Sequence, residues 1–207
     1  MTESKETAEK VVADAVPKSR YVLFAMLAIG GCLADLISKS LAFRWQGMPG
    51  EKPVWWLWEG KMGVETSLNT GALFGLGQDK VLLFAAFSFV ALIGIVVWFV
   101  FFGGGRDLLL TLILGCVTGG ILGNLYDRLG LWEATFADPA VAALYADEYP
   151  RYAVRDWIRL SYDRYVWPNF NIADCLLVVG AVALVWHSYF MKPDEKQANP
   201  SSGDSPS

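Results

Sequence analysis

The sequence predicts an all-α membrane protein with four transmembrane helices, a small β/loop region and an inserted surface segment. Three observations carry that prediction. The 207 residues are 54% hydrophobic and only 18% charged, the mean hydropathy is +0.36, and the charges avoid four long stretches. A soluble domain carries roughly 25% charged residues, and a disordered chain is charge-rich and poor in apolar side chains. Both classes are excluded. A net charge of −4 gives no reason to expect a nucleic-acid partner.

The spans follow in order. Residues 81–102 (VLLFAAFSFVALIGIVVWFVFF) hold no charge, and 22 residues at 1.5 Å each cross a hydrocarbon core of about 30 Å. The other spans are interrupted: 21–43 by Asp35 and Lys39, 108–126 by Asn124 near its end, and 172–191 by Asp174 near its start and His187 near its end. Residues 1–20 form a polar tail with four basic and four acidic side chains. That is a poor start for a cleaved signal peptide, so the first span is expected to be a retained anchor. The Pro/Ser-rich residues 192–207 are expected to be a disordered tail. Gly103–Asp107 is long enough only for a tight turn. Four spans place the two longer segments, 44–80 and 127–171, on one side and both tails on the other. That second side, with the turn, holds only seven of the seventeen Lys and Arg, so charge counting does not settle orientation.

Cys32, Cys116 and Cys175 share no short spacing and are expected to be buried free thiols. His187 is the single histidine, and no metal or other cofactor is expected.

The polar residues of the spans converge on one surface. Asp35 and Lys39 close span one, Asn124, Asp127 and Arg128 close span three, Asn171 and Asp174 open span four, and Asn69 lies ahead of span two. Ionisable groups at this depth cost a few kcal/mol and face a bundle interior or a watery cavity. Asp35 and Lys39, acid first and four apart, suit a helix ion pair. Asp127 is expected to be held ionised by the adjacent Arg128 guanidinium. Asp174 has no adjacent cation, which points to a raised pKa or a proton shared with a second acid. Gly115, Gly119 and Gly123, with Gly120 alongside, read as a helix-packing stripe. Trp55, Trp56, Trp58, Trp157, Tyr162, Tyr165 and Trp167 read as an interfacial belt or as a surface gripping a lipid-bearing substrate.

Nucleophile-elbow, zincin and Walker motifs are absent, which leaves carboxylates. Two acids in contact cannot both ionise, so one holds a proton while the other activates water. The partner of Asp174 is Asp127, Asp156 or Asp35. The rival class is a non-enzymatic four-span transporter or lipid-binding subunit, which would keep partial function when Asp174 becomes Asn.

Five segments occur in order: Asp35-Leu36-Ile37-Ser38-Lys39, Asn69-Thr70-Gly71-Ala72-Leu73-Phe74, the run Gly119–Arg128 ending Gly-Asn-Leu-Tyr-Asp-Arg, Val154-Arg155-Asp156-Trp157, and Phe170-Asn171-Ile172-Ala173-Asp174. Together, over about residues 21–191, they resemble the lipoprotein signal peptidase (signal peptidase II) family. The resemblance implies a four-span domain over 21–191 acting as an aspartic endopeptidase of the bacterial plasma (inner) membrane. It would remove the signal peptide from diacylglyceryl-modified prolipoproteins, cutting before the lipidated cysteine. It implies both termini in the cytoplasm, the β/loop region outside it, the site at the outer leaflet, membrane lipid as a partner and a monomer. By resemblance the catalytic pair is Asp156 and Asp174. Asn69, Gly71, Asn124, Arg128 and Asn171 form the supporting shell, Asp35 and Lys39 are more structural, and Asp127 is the rival to Asp156.

Residues 129–153 are a longer connection than the family's pattern. Pro139–Tyr145 read as a short helix with Asp138 as N-cap and Pro150 closing the segment. Its apolar face is expected to be Ala140, Ala143 and Leu144. The segment is expected to shape substrate access and to supply no catalytic group.

Overall fold

The computed structural model describes residues 16–71, 80–134, 136, 139–144 and 151–190. Four helices are long and apolar enough to cross a membrane: α1 (Lys18–Gln46), α2 (Val81–Phe101), α3 (Leu108–Arg128) and, last in the chain, α5 (Ile172–Phe190). The first begins inside the expected polar tail and runs three residues past the expected end. A 3-10 turn over Gly104–Arg106 joins α2 to α3.

The protein is not all-α. Strands β1 (Trp55–Trp58), β2 (Met62–Asn69), β3 (Val154–Tyr162) and β4 (Tyr165–Phe170) form one antiparallel sheet in the order β1-β2-β3-β4. These segments are rich in aromatic and β-branched side chains, which suit a pleated surface. Two hairpins supply the outer pairings, and β2 joins β3 across a long stretch of chain, which sequence pattern alone does not specify.

Helix α3 is the centre of the bundle. Its apolar stretch is 61% buried inside the protein, against 6–11% for the other three, and it packs on α1, α2 and α5. Glycine is what lets the neighbours in: a Cβ at Gly119 would sit 2.9 Å from the Ala28 carbonyl oxygen. The outer helices show exposed apolar side chains such as Leu82, Val90, Ile93, Val179 and Val182. All three cysteines are free but only half-buried. They lie on helix faces that are partly turned outward, which corrects the expectation of full burial.

Both ends of α3 are fastened. At its start the Asp107 carboxylate accepts from the Leu110 N–H at 2.9 Å, and its other oxygen lies 2.9 Å from His187 Nε2 in the last turn of α5. At its end Gly130 takes φ +66°. The Gly130 N–H donates to the Asp127 carbonyl and the Leu131 N–H to the Tyr126 carbonyl, a Schellman closure. The helix therefore stops just after the residues that build the site.

The inserted segment contains helix α4 (Pro139–Leu144). The side chain it buries is Val141, against Met48 and Trp132, while Ala140 and Ala143 are exposed. Of the expected face, Ala140 and Ala143 are therefore not the buried side, because the larger Val141 takes the contact; the Leu144 side chain lies outside what is described. Asp138 and Pro150 lie outside the described residues.

Candidate active site

The site forms where the ends of α1 and α3 meet the start of α5 and one end of the two central strands, β2 and β3. Register does the first part of the work: Asn69↔Val154 and Ser67↔Asp156 pair across β2 and β3, which brings Asn69 of one strand beside Asp156 of the other. Asp156 is 2% exposed, whereas Asp174 is half-buried.

Three asparagines donate to the two aspartates, and each is oriented by a group that can only donate. The Gly71 backbone N–H donates to Asn69 Oδ1 at 2.9 Å, so Asn69 Nδ2 faces Asp156 Oδ2 at 3.2 Å. The Asp174 backbone N–H donates to Asn171 Oδ1 at 3.0 Å, so Asn171 Nδ2 reaches Asp156 Oδ1 at 2.6 Å. The Lys39 ammonium donates to Asn124 Oδ1 at 2.9 Å, so Asn124 Nδ2 donates to Asp174 Oδ1 at 2.9 Å. An amide side chain has one accepting end and one donating end. Fixing the oxygen therefore fixes the donor. Asn171 Nδ2 also donates to Asn124 Oδ1 at 3.2 Å, which closes the network.

Burial dominates the acidity of Asp156. It and, next, the negative charge of Asp174 push the Asp156 carboxyl up to about 8, against smaller opposing effects from Lys39, Asn171 and Asn69. Near neutral pH the arrangement holds one proton on a buried acid beside a more accessible one. That is the state required for acid–base hydrolysis by two carboxyls.

The other sequence-predicted residues surround this pair. Asp35 and Lys39 are both fully buried and pair at 2.6 Å, and Asp35 Oδ1 accepts from the Ala173 N–H at 2.9 Å. Helix α1 is thereby tied to the start of α5. Arg128 donates to the Gly71 carbonyl at 3.4 Å. Asp127 is not held by Arg128. Its carboxylate accepts from the Arg155 guanidinium at 2.8 Å and the Arg155 N–H at 3.0 Å, and pairs with Lys39 at 3.2 Å. Successive helical side chains diverge by about 100°, so Asp127 and Arg128 point apart.

Arg155 was not singled out from the sequence. The available signal was strand alternation: its neighbour Asp156 faces the paired acid, so Arg155 projects to the opposite side, where Asp127 waits. Trp132 covers its guanidinium at 5.0 Å.

The sequence model of the family described as signal peptidase (SPase) II matches residues 27–190. The chain belongs to that family. Members of the signal peptidase II family are peptidases. Among its relatives, the lipoprotein signal peptidase of Rhodopirellula baltica is 49% identical over 176 residues, covering 84% of this chain and 75% of that one. That of Aquifex aeolicus is 31% identical over 127 residues, 60% of this chain and 64% of the other. Two solved bacterial membrane enzymes share the fold of this signal peptidase II chain. One aligns with a TM-score of 0.66 at 18% identity over 86% of this chain and 94% of that one. The other has a TM-score of 0.61 at 20% identity over 82% and 94%.

Proposed function

We infer that this peptidase removes signal peptides from diacylglyceryl-modified prolipoproteins, cutting before the lipidated cysteine, with Asp156 and Asp174 as its catalytic pair. The observation that carries the reading is the amide network that links one buried and one half-buried carboxyl. Asp156 keeps the proton, and Asp174, nearer to solvent, takes a proton from water. The water oxygen bonds to the scissile carbonyl carbon. The C–N bond then breaks as Asp156 gives its proton to the leaving amine. The three asparagines hold both acids in place throughout.

Asp127 fits this role less well, because Arg155 and Lys39 already engage its oxygens. Asn69, Gly71, Asn124, Asn171 and Arg128 support the pair, and no metal or other cofactor takes part. The sheet carries exposed aromatic side chains: Trp55, Trp58, Tyr162, Tyr165 and Trp167. Such side chains suit a membrane–water interface, which favours a substrate that arrives anchored in lipid. In this reading the site lies at the outer leaflet of the bacterial inner membrane, both termini are cytoplasmic, and the enzyme works as a monomer.

Purified protein with matched lipidated and unlipidated prolipoprotein peptides tests the proposal. Cleavage before the modified cysteine in the lipidated peptide alone is the expected result. Equal cleavage of both would remove the lipid from the specificity, and cleavage of neither would return the chain to the binding-protein class.

A further inference from the structure

Two of the three asparagines around the aspartates are oriented by backbone N–H groups, of Gly71 and Asp174. Backbone donors are fixed by the fold. The third, Asn124, differs: the shorter and charged donor on its oxygen is the Lys39 ammonium, at 2.9 Å against 3.2 Å for Asn171 Nδ2. A buried ammonium beside that oxygen makes the flipped amide prohibitive, because the flip would set two donors face to face and turn an oxygen toward Asp174.

We propose that Lys39 is a positioning residue for the hydrolysis: it orients the Asn124 amide so that Nδ2 holds Asp174, one side chain away from the reacting atoms. This rests on the two-carboxylate reading above. Lys39 touches neither aspartate of that pair. It is itself aimed by Asp35, at 2.6 Å, and Asp127, at 3.2 Å, two acids that bracket the ammonium from α1 and α3. The wider charged and titratable surroundings are Cys32 on α1, Arg128 on α3, Arg155 and Asp156 on β3, and Asp174 and Cys175 on α5. Among these, Arg155 is engaged by Asp127 and Arg128 by the Gly71 carbonyl, so Lys39 is the cation left to serve Asn124. An ion pair that merely fastened α1 to α3 would have no need of a third partner in the site.

The test uses the full-length protein, a lipidated prolipoprotein peptide, and kcat, KM and the pH–rate profile together with thermal unfolding. Lys39→Met leaves Asp35 buried without its cation, so the paired Asp35→Asn/Lys39→Met variant, which removes both charges at similar volume, is measured beside it. The expected result is a kcat lower by about 10- to 100-fold, the usual weight of a hydrogen bond to a charged group, with KM within about twofold. The alkaline limb of the profile should move upward, since the Lys39 charge opposes the rise at Asp156. Lys39→Arg should restore part of kcat. Asn124→Asp tests the far side of the relay without removing the lysine's partner: it keeps the Lys39 bond, loses the donor to Asp174, and should lose kcat to a similar extent. His187→Gln, which alters the contact with Asp107 at the opposite end of the bundle, should leave the profile in place. A folded paired variant, or Asn124→Asp, with wild-type kcat and limb would overturn the proposal. Turnover surviving in Asp156→Asn or Asp174→Asn would instead sink the two-carboxylate reading beneath it.

Discussion

Asn171 and Asp174 cap each other at the start of α5. The Asn171 N–H donates to Asp174 Oδ2 at 3.2 Å, and the Asp174 N–H donates to Asn171 Oδ1 at 3.0 Å. This is the geometry of a reciprocal capping box, and it leaves Asp174 Oδ1 for Asn124 and Asn171 Nδ2 for Asp156. One helix start therefore sets both acids. Asn171→Ala should lower turnover about 10²-fold while costing about 1 kcal/mol of helix-start stability. Kinetics and thermal unfolding on the same preparation separate the two, and a variant that lost stability but kept turnover would reduce Asn171 to a cap.

Asp156→Asn and Asp174→Asn should each lower cleavage by ~10²–10⁴-fold while the protein still inserts and folds. Asp127→Asn is the discriminating comparison. If it is inactive per folded molecule while Asp156→Asn turns over normally, the partner of Asp174 has been misassigned.

The Asp156 carboxyl should make stability fall as pH rises. Its pKa is raised from 3.8 in the free side chain to about 8 in the fold by burial first and the Asp174 charge second. Between those values the folded state keeps a proton that the unfolded state has lost. The contribution is therefore fully present below the lower value and gone above the upper one. Asp156→Asn should accordingly gain melting temperature over the parent progressively toward pH 8. An advantage that shrank over the same range would mean that Asp156 is already ionised in the folded protein.

Asp127→Asn should cost stability before it costs chemistry. The substitution leaves Arg155 and Lys39, both buried, without the carboxylate that engages them, a loss of about 3–5 kcal/mol for a broken buried pair. A chemical or thermal melt measures it, and a change below about 1 kcal/mol would show the pair to be replaceable.

The inserted segment should act on binding. Replacing residues 135–150 by a short Gly/Ser linker removes Val141 from Met48 and Trp132 and should raise KM with the cleavage position unchanged. A shortened protein that binds substrate but has lost all turnover would place a reacting group in the insert.

By itself the sequence determined the four spans, the short turn between the second and third, and the gathering of polar residues at one surface. Those properties follow from local hydropathy and from the parity of crossings. Periodicity along α1 also carried the Asp35–Lys39 pair, because residues four apart on a helix are neighbours. Strand pairing is different in kind. Whether β2 meets β3, and in which register, depends on contacts between segments far apart in sequence, so the strand order and the approach of Asn69 to Asp156 came only with the tertiary structure. The partner of Asp127 was decided the same way: adjacency in sequence suggested Arg128, but the helix turns the two apart and the sheet delivers Arg155. The amide orientations came last of all. An asparagine's two ends are alike in sequence, and only the donors around it in space determine which one faces the acid.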